Sequence, residues 1–137
     1  MADRLTPDAR SHLMARIRSK DTKPELAVRH LLHRMGYRFR LHRRDLPGSP
    51  DIVLPVRRKI VFVHGCFWHG HTGCRFAATP ATRSDFWTTK ISATKQRDAQ
   101  AVRQLRRSGW SVAVVWECQT RSLDQLARRL EHFLEKI

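Results

Sequence analysis

The spacing of apolar and polar residues predicts the element order α-α-β-β-β-α-β-α. Thr6-Pro7-Asp8 has the form of a helix start, with proline at the first helical position, and Leu13, Met14 and Ile17 give that helix a thin apolar face. Thr22-Lys23-Pro24-Glu25 is a stronger start: Thr22 can cap the backbone and Glu25 stands three residues on, as in a capping box. Leu26, Leu31, Leu32 and Met35 then line one side, and Gly36 supplies a stop. Tyr37, Phe39 and Leu41 alternate with Arg38, Arg40 and His42, the pattern of a half-buried strand. The segment 46–50 (LPGSP) is a turn, and Asp51-Ile52-Val53-Leu54 a second strand. Lys59-Ile60-Val61-Phe62-Val63 is almost unbroken in apolar character, as expected of a central strand.

Beyond these strands, Ser84-Asp85 opens a helical stretch that reaches Arg107, with a break expected near Ser92, and Gly109 ends it. Trp110-Ser111-Val112-Ala113-Val114-Val115-Trp116 is another buried strand. Ser122 then caps a final helix with Leu123, Leu126, Leu130, Phe133 and Leu134 on its apolar face. The order predicts an α/β fold, a mixed sheet flanked by helices. There is no internal repeat, low-complexity tract or interdomain linker, and 137 residues make one domain with a sizeable core.

Charge narrows the function. Twenty-seven Lys and Arg against twelve Asp and Glu leave a net +15, which implies a polyanionic partner, nucleic acid ahead of an anionic membrane. No apolar run approaches the roughly 18–20 residues of a spanning helix, and the N-terminal residues lack the apolar stretch of a signal peptide. The expected setting is the cytoplasm, with reduced cysteines and no membrane partner. Three cysteines cannot all pair internally, which points to metal rather than to a disulfide framework.

The densest chemistry lies in residues 63–74 (VHGCFWHGHTGC), directly after the central strand. Cys66, His71 and Cys74 are spaced Cys-x4-His-x2-Cys, and Cys118 follows the last strand. Three thiolates and one imidazole suit a tetrahedral structural zinc, and a closed four-ligand site makes that zinc a staple. The plainer reading is three unrelated buried thiols. His64 and His69 are left over beside Asp51, a carboxylate at a strand start where phosphodiesterases hold Mg2+. Glu25 could supply another oxygen and Asp98 could orient a histidine. Taken singly, Glu25 is a helix cap and Asp98 a solvated helix position.

The segments RSHLMARIRSKDTKPE, YRFRLHRRDLPGSPDIV, VFVHGCFWHGH, PATRSDFWTTKI, QRDAQ and GWSVAVVWEC resemble, in this order, the very short patch repair (Vsr) endonucleases of bacteria. HGCFWHGH followed by PATR-x-x-FW is specific to that family, and the likeness runs from Arg10 to Leu134. The resemblance implies a restriction-endonuclease-like fold, related to the PD-(D/E)xK nucleases, in a single domain over 1–137. Residues 1–20 would form a DNA-contacting helix whose order without DNA is left open. The implied activity is Mg2+-dependent nicking of one strand 5′ of the thymine in a T:G mismatch, the lesion left when 5-methylcytosine deaminates. The implied partner is mismatched double-stranded DNA, met as a monomer, with other mismatch-repair proteins as further partners.

Residue by residue, the resemblance implies that Asp51 holds Mg2+, that His69 activates water, and that Asp98 supports His69. It makes His64 and Glu25 further active-site residues. Cys66, His71, Cys74 and Cys118 match the zinc ligands, and Phe67, Trp68 and Trp87 the aromatics that wedge into the duplex. Without the family, Phe86 and Trp87 would be helix core. The (D/E)xK triplet reads Phe62-Val63-His64 here, so a backbone carbonyl, that of Val63, must replace one carboxylate ligand. Thr72-Gly73 before Cys74 also shifts the third zinc ligand by one residue from the compact pattern. Two rivals stay open: a same-fold nickase with another target, and a zinc-stapled DNA-binding module without catalysis. The αβββαβ order argues against an HNH nuclease.

Overall fold

Thr22 sets the first element. Its hydroxyl accepts from the Glu25 N–H at 3.3 Å, and the Glu25 carboxylate accepts from the Thr22 N–H at 3.3 Å, the reciprocal bonds of a capping box. In the computed structural model, which describes residues 21–77 and 82–136, this starts helix α1 (Lys23–Arg34). The helix expected within residues 1–20 lies outside the described residues. Val28, Leu31 and Leu32 form the buried stripe of α1, whereas Leu26, expected on it, is exposed. Glu25 falls on the same stripe, three and seven residues before Val28 and Leu32. A cap thus becomes a buried carboxylate.

The sheet has the order β1-β2-β3-β4. Strands β1 (Arg40–Leu41), β2 (Ile52–Leu54) and β3 (Lys59–His64) form an antiparallel meander, and β4 (Ser111–Trp116) lies parallel to β3. Parallel pairing needs a crossover, which helix α2 (Ser84–Arg107) supplies. Helix α3 (Leu123–Glu135) closes the chain, after short 3₁₀ turns at Arg75–Ala77 and Glu117–Arg121. Alternation along β2 and β3 feeds two cores. Ile52, Leu54 and Val61 meet Val28, Leu31 and Leu32 of α1 and Leu126, Leu130 and Leu134 of α3. Val53, Ile60 and Phe62 meet Leu105 of α2 on the other face. Coverage of both faces explains why β3 is apolar almost throughout.

Several expectations change in detail. The strand expected from Tyr37 shrinks to two residues, because the Tyr37 N–H is still closing α1 on the Leu32 carbonyl at 2.9 Å. Helix α2 runs unbroken past Ser92, whose side chain is solvent-exposed and leaves the backbone ladder intact. Ser122 sits at the start of α3 but its side chain makes no capping bond. Among the described residues β4 is an edge, not an interior strand, and its buried positions include Val112 and Val115. Arg106 Nη2 donates to the Val112 carbonyl at 3.4 Å and the Trp116 N–H to Gln119 Oε1 at 3.0 Å, and such bonds blunt an edge against pairing. No helix among the described residues is long and apolar enough to cross a membrane.

Candidate active site and metal centre

Antiparallel pairing of β2 with β3 puts the start of one strand beside the end of the other. The Val63 N–H donates to Asp51 Oδ2 at 2.8 Å. Within a strand, a residue's N–H and C=O share one side. The Val63 carbonyl therefore faces the same edge as Asp51, beyond the first β2 residue. Asp51 and Val63 line a cavity of about 900 Å³ together with Glu25, His69, Phe67 and Trp68. Burial pushes the Asp51 carboxyl up to about 6. The Val63 N–H opposes that shift, the charge of Glu25 adds to it, and His42 and His69 oppose it. Two carboxylates in a poorly hydrated cleft, beside a carbonyl, are an all-oxygen donor set that fits a hard divalent cation.

His69 lines the same cavity. Its Nδ1 is 2.6 Å from Asp98 Oδ2, so the carboxylate fixes the ring and leaves Nε2 for chemistry. The ring also stacks on His64, with centroids 3.8 Å apart and planes 3° from parallel. Burial, seconded by His69, pushes His64 down to about 4, with Asp98 acting against the shift. At neutral pH His64 is therefore uncharged. The structure does not bring His64 into the Asp51 cavity. It lines a neighbouring cavity of about 560 Å³ with His69, Asp98 and Trp116, and reaches the Asp51 side only through His69.

Asp98 belongs to an inward stripe. Trp87, Ile91, Ala101 and Leu105 are the buried positions of α2, and Asp98 lies seven residues after Ile91 and seven before Leu105. Followed through Ser92 without a break, the helix pattern alone would have marked it as inward-facing. Gly70 lets the loop approach this helix, since with φ +60° a Cβ there would lie 2.5 Å from Ile91 Cγ2.

Cys66, His71, Cys74 and Cys118 converge, each ligand atom within 4.8 Å of the others. The sulfurs of Cys66 and Cys118 both lie 3.6 Å from His71 Nδ1. Zn–S of about 2.3 Å and Zn–N of about 2.0–2.1 Å at a tetrahedral angle put S and N about 3.6 Å apart. The two S–N distances are therefore those a tetrahedral zinc requires. Burial, with the Cys118 and Cys74 sulfurs adding to it against a Cys118 backbone bond, pushes the Cys66 thiol up to about 12. Three clustered sulfurs can be thiolates only around a cation. The residue inserted at Thr72-Gly73 is taken up in a turn where Gly73 has φ +73°. The His71 ring stacks on Trp116 at 4.1 Å, tying the cluster to β4.

Phe67 and Trp68, between two of these ligands, are half-buried at the rim of the Asp51 cavity. Trp87 does not stand beside them in solvent. It is 5% exposed and packs beneath both rings, with centroids 5.3 and 5.8 Å away. Its neighbour Phe86, assigned to the core by sequence, is 43% exposed, with Arg83 over its ring at 4.5 Å. Helix phase decides which of two adjacent aromatics turns inward. Two further residues escaped sequence reasoning. Arg29, one turn after Glu25, contacts it at 3.2 Å, and His42 lies 3.3 Å from the same oxygen. The i, i+4 spacing was a signal for Arg29, whereas nothing local marked His42.

Residues 2–75 match the family model described as DNA mismatch endonuclease Vsr. The chain is 56% identical over 135 residues to the Type II nicking enzyme V.XorIIP of Xanthomonas oryzae pv. oryzae, covering 98% of each. It is 39% identical over 139 residues to the DNA mismatch endonuclease Vsr of Escherichia coli, covering 98% of this chain and 88% of that one. The Type II nicking enzyme V.NmeAIP of Neisseria meningitidis is 39% identical over 137 residues, covering 100% and 97%.

Proposed function

The chain belongs to the Vsr family of DNA mismatch endonucleases, and from that premise we propose that it nicks one strand 5′ of the thymine in a T:G mismatch, by Mg2+-dependent hydrolysis. That it is a DNA endonuclease follows from the family itself. The reading of the site rests above all on one observation: Asp51, Glu25 and His69, the last held by Asp98 from behind, face a single cavity lined also by Phe67 and Trp68. The word "mismatch" in the Escherichia coli relative's name and "nicking" in the others' support the substrate and the single-strand cut.

The net +15 charge draws in DNA through phosphate contacts, with counterion release. Phe67 and Trp68, backed by buried Trp87, press between base steps. Unstacking costs about a few kcal/mol and least at a mismatch, so selectivity begins before any base hydrogen bond forms. Asp51 and the Val63 carbonyl would hold Mg2+, which when bound supplies charge neutralisation at the scissile phosphate. His69 Nε2 takes the proton of the attacking water, because Asp98 occupies Nδ1. His64 fixes the plane of that ring by stacking. Glu25 orients the water from the α1 side.

Otherwise identical duplexes carrying T:G, T:A or C:G at one position test the substrate. Only the T:G duplex is expected to be nicked, in Mg2+ and not in EDTA. Equal cutting of all three overturns the mismatch reading and spares the nuclease. Asp98→Asn is expected to lower kcat by about 10- to 100-fold, the usual cost of losing a carboxylate that orients a histidine, at unchanged affinity for mismatched DNA. A single-turnover nicking series beside a binding titration separates the two. An equal loss of binding would move Asp98 out of the proton-transfer pair.

A further inference from the structure

Glu117 takes part in no step above, yet it lines the same cavity as Asp51, Phe67 and Trp68. It follows β4 directly, and β4 runs parallel to β3 with Trp116 opposite His64. Glu117 therefore stands beside Gly65, one residue past the ends of both strands. A Cβ at Gly65 would lie 3.5 Å from Trp68 Cδ1 and 4.0 Å from Glu117 Oε1. The carboxylate and the Trp68 ring thus flank one small opening at the wedge.

Two features hold the carboxylate there. Cys118, the next residue, belongs to the cysteine cluster. The Cys66 N–H donates to Glu117 Oε1 at 3.4 Å, a long bond. Among the described residues Oε2 has no hydrogen bond and no cation pairs with Glu117, although the chain carries a net +15. The side chain is exposed. Duplex DNA closing over it must therefore supply a donor. Phosphates cannot, since they only accept and repel a carboxylate. Base edges can, through cytosine N4 and adenine N6 in the major groove and guanine N2 in the minor groove.

We propose that Glu117 is a specificity-determining residue: its Oε2 accepts a hydrogen bond from N4 of a cytosine in a base pair flanking the mismatch. This rests on the mismatch reading above. The minor groove is about 6 Å wide. Neighbouring strands alone stand about 4.8 Å apart, before their side chains and the Phe67–Trp68 loop are added. Strand ends and loop together therefore fit the wider major groove. There guanine shows O6 and N7, thymine shows O4, and adenine N6 stands beside its own N7. All of these acceptors repel a carboxylate. Cytosine alone shows a donor with no acceptor on its own edge.

The test uses T:G duplexes in which each flanking base pair is changed in turn through its four possibilities. They are titrated without Mg2+ and nicked in Mg2+. At one flanking position the wild type is expected to bind the cytosine duplex roughly 10- to 100-fold more tightly than the other three, and to nick in the same ranking. Glu117→Ala is expected to lose that ranking. Glu117→Gln is expected to move it to adenine, whose N6 and N7 match an amide. Zinc is measured in each variant. Glu117→Gln, which can still accept from the Cys66 N–H, decides alone if Glu117→Ala loses its zinc. Equal binding of all flanks by the wild type, or the wild-type ranking in a zinc-loaded variant, overturns the proposal. A uniform gain in affinity with the ranking intact, the mark of a carboxylate that only repels phosphates, overturns it too. A wild type that ranks the flanks in binding but does not nick strikes the nuclease reading and supports this one.

Discussion

Asp51→Ala is expected to bind mismatched DNA as the wild type does and to nick it at least about a thousandfold more slowly. The size follows from the several kcal/mol of transition-state charge stabilisation that a divalent cation supplies, at about 1.4 kcal/mol for each factor of ten. Affinity should survive because it comes from the basic surface and from Phe67 and Trp68, which Asp51 does not support. The same carboxylate should weaken the metal-free fold. Its folded-state value of about 6 lies above the ordinary 3.8. The native state thus binds the proton more tightly, and stability from this group is lost as pH rises between those values. At neutral pH the charge costs roughly 3 kcal/mol. Asp51→Asn, which can still accept from the Val63 N–H, should therefore melt higher than wild type in EDTA at pH 7 while failing to nick. Wild-type nicking by either variant removes Asp51 from the centre of the site.

Much of this arrangement was legible because it is local. The Thr22–Glu25 box, the apolar run of β3 and the Cys-x4-His-x2-Cys spacing are each fixed within a few residues. The family likeness added Asp51, His69 and Asp98 as a set. What stayed hidden depends on non-local geometry. Glu25 was legible as a cap, but its burial follows from the phase of α1 against Val28 and Leu32. Phe86 and Trp87 are chemically alike neighbours, and only the rotation of α2 exposes one and buries the other. His42 ends the alternating segment in sequence, yet its left-handed backbone turns it toward Arg29 and Glu25, and no periodicity encodes that conformation. The two cavities that His69 separates exist only once β3, β4 and α2 are packed.

Cys118→Ser should empty the cysteine cluster and disarm the enzyme at a distance from the chemistry. Cys118 follows β4, while Cys66, His71 and Cys74 lie in one loop after β3, so this sulfur joins the loop to the end of the neighbouring strand, 44 residues on from Cys74 in the chain. Between Cys66 and Cys74 the loop is held by turns rather than by a regular helix or strand. Phe67, Trp68 and His69 all sit on that segment. Structural zinc contributes about 10–16 kcal/mol in small zinc folds, and loss of one ligand in four forfeits several kcal/mol of it. The wild type is expected to carry one zinc per chain by elemental analysis, and Cys118→Ser well below one. The variant should melt more than about 10 °C lower, at about 2–4 °C per kcal/mol for a chain near this size. Nicking should collapse with preference for T:G over T:A duplexes, because the wedge and the base depend on the same anchor. Binding to unmismatched DNA should fall far less, since it draws on the whole basic surface. A zinc-free Cys118→Ser protein that nicks T:G duplexes at the wild-type rate would show that these four residues do not anchor the loop, and that Phe67 and His69 are held by their packing against α2 alone.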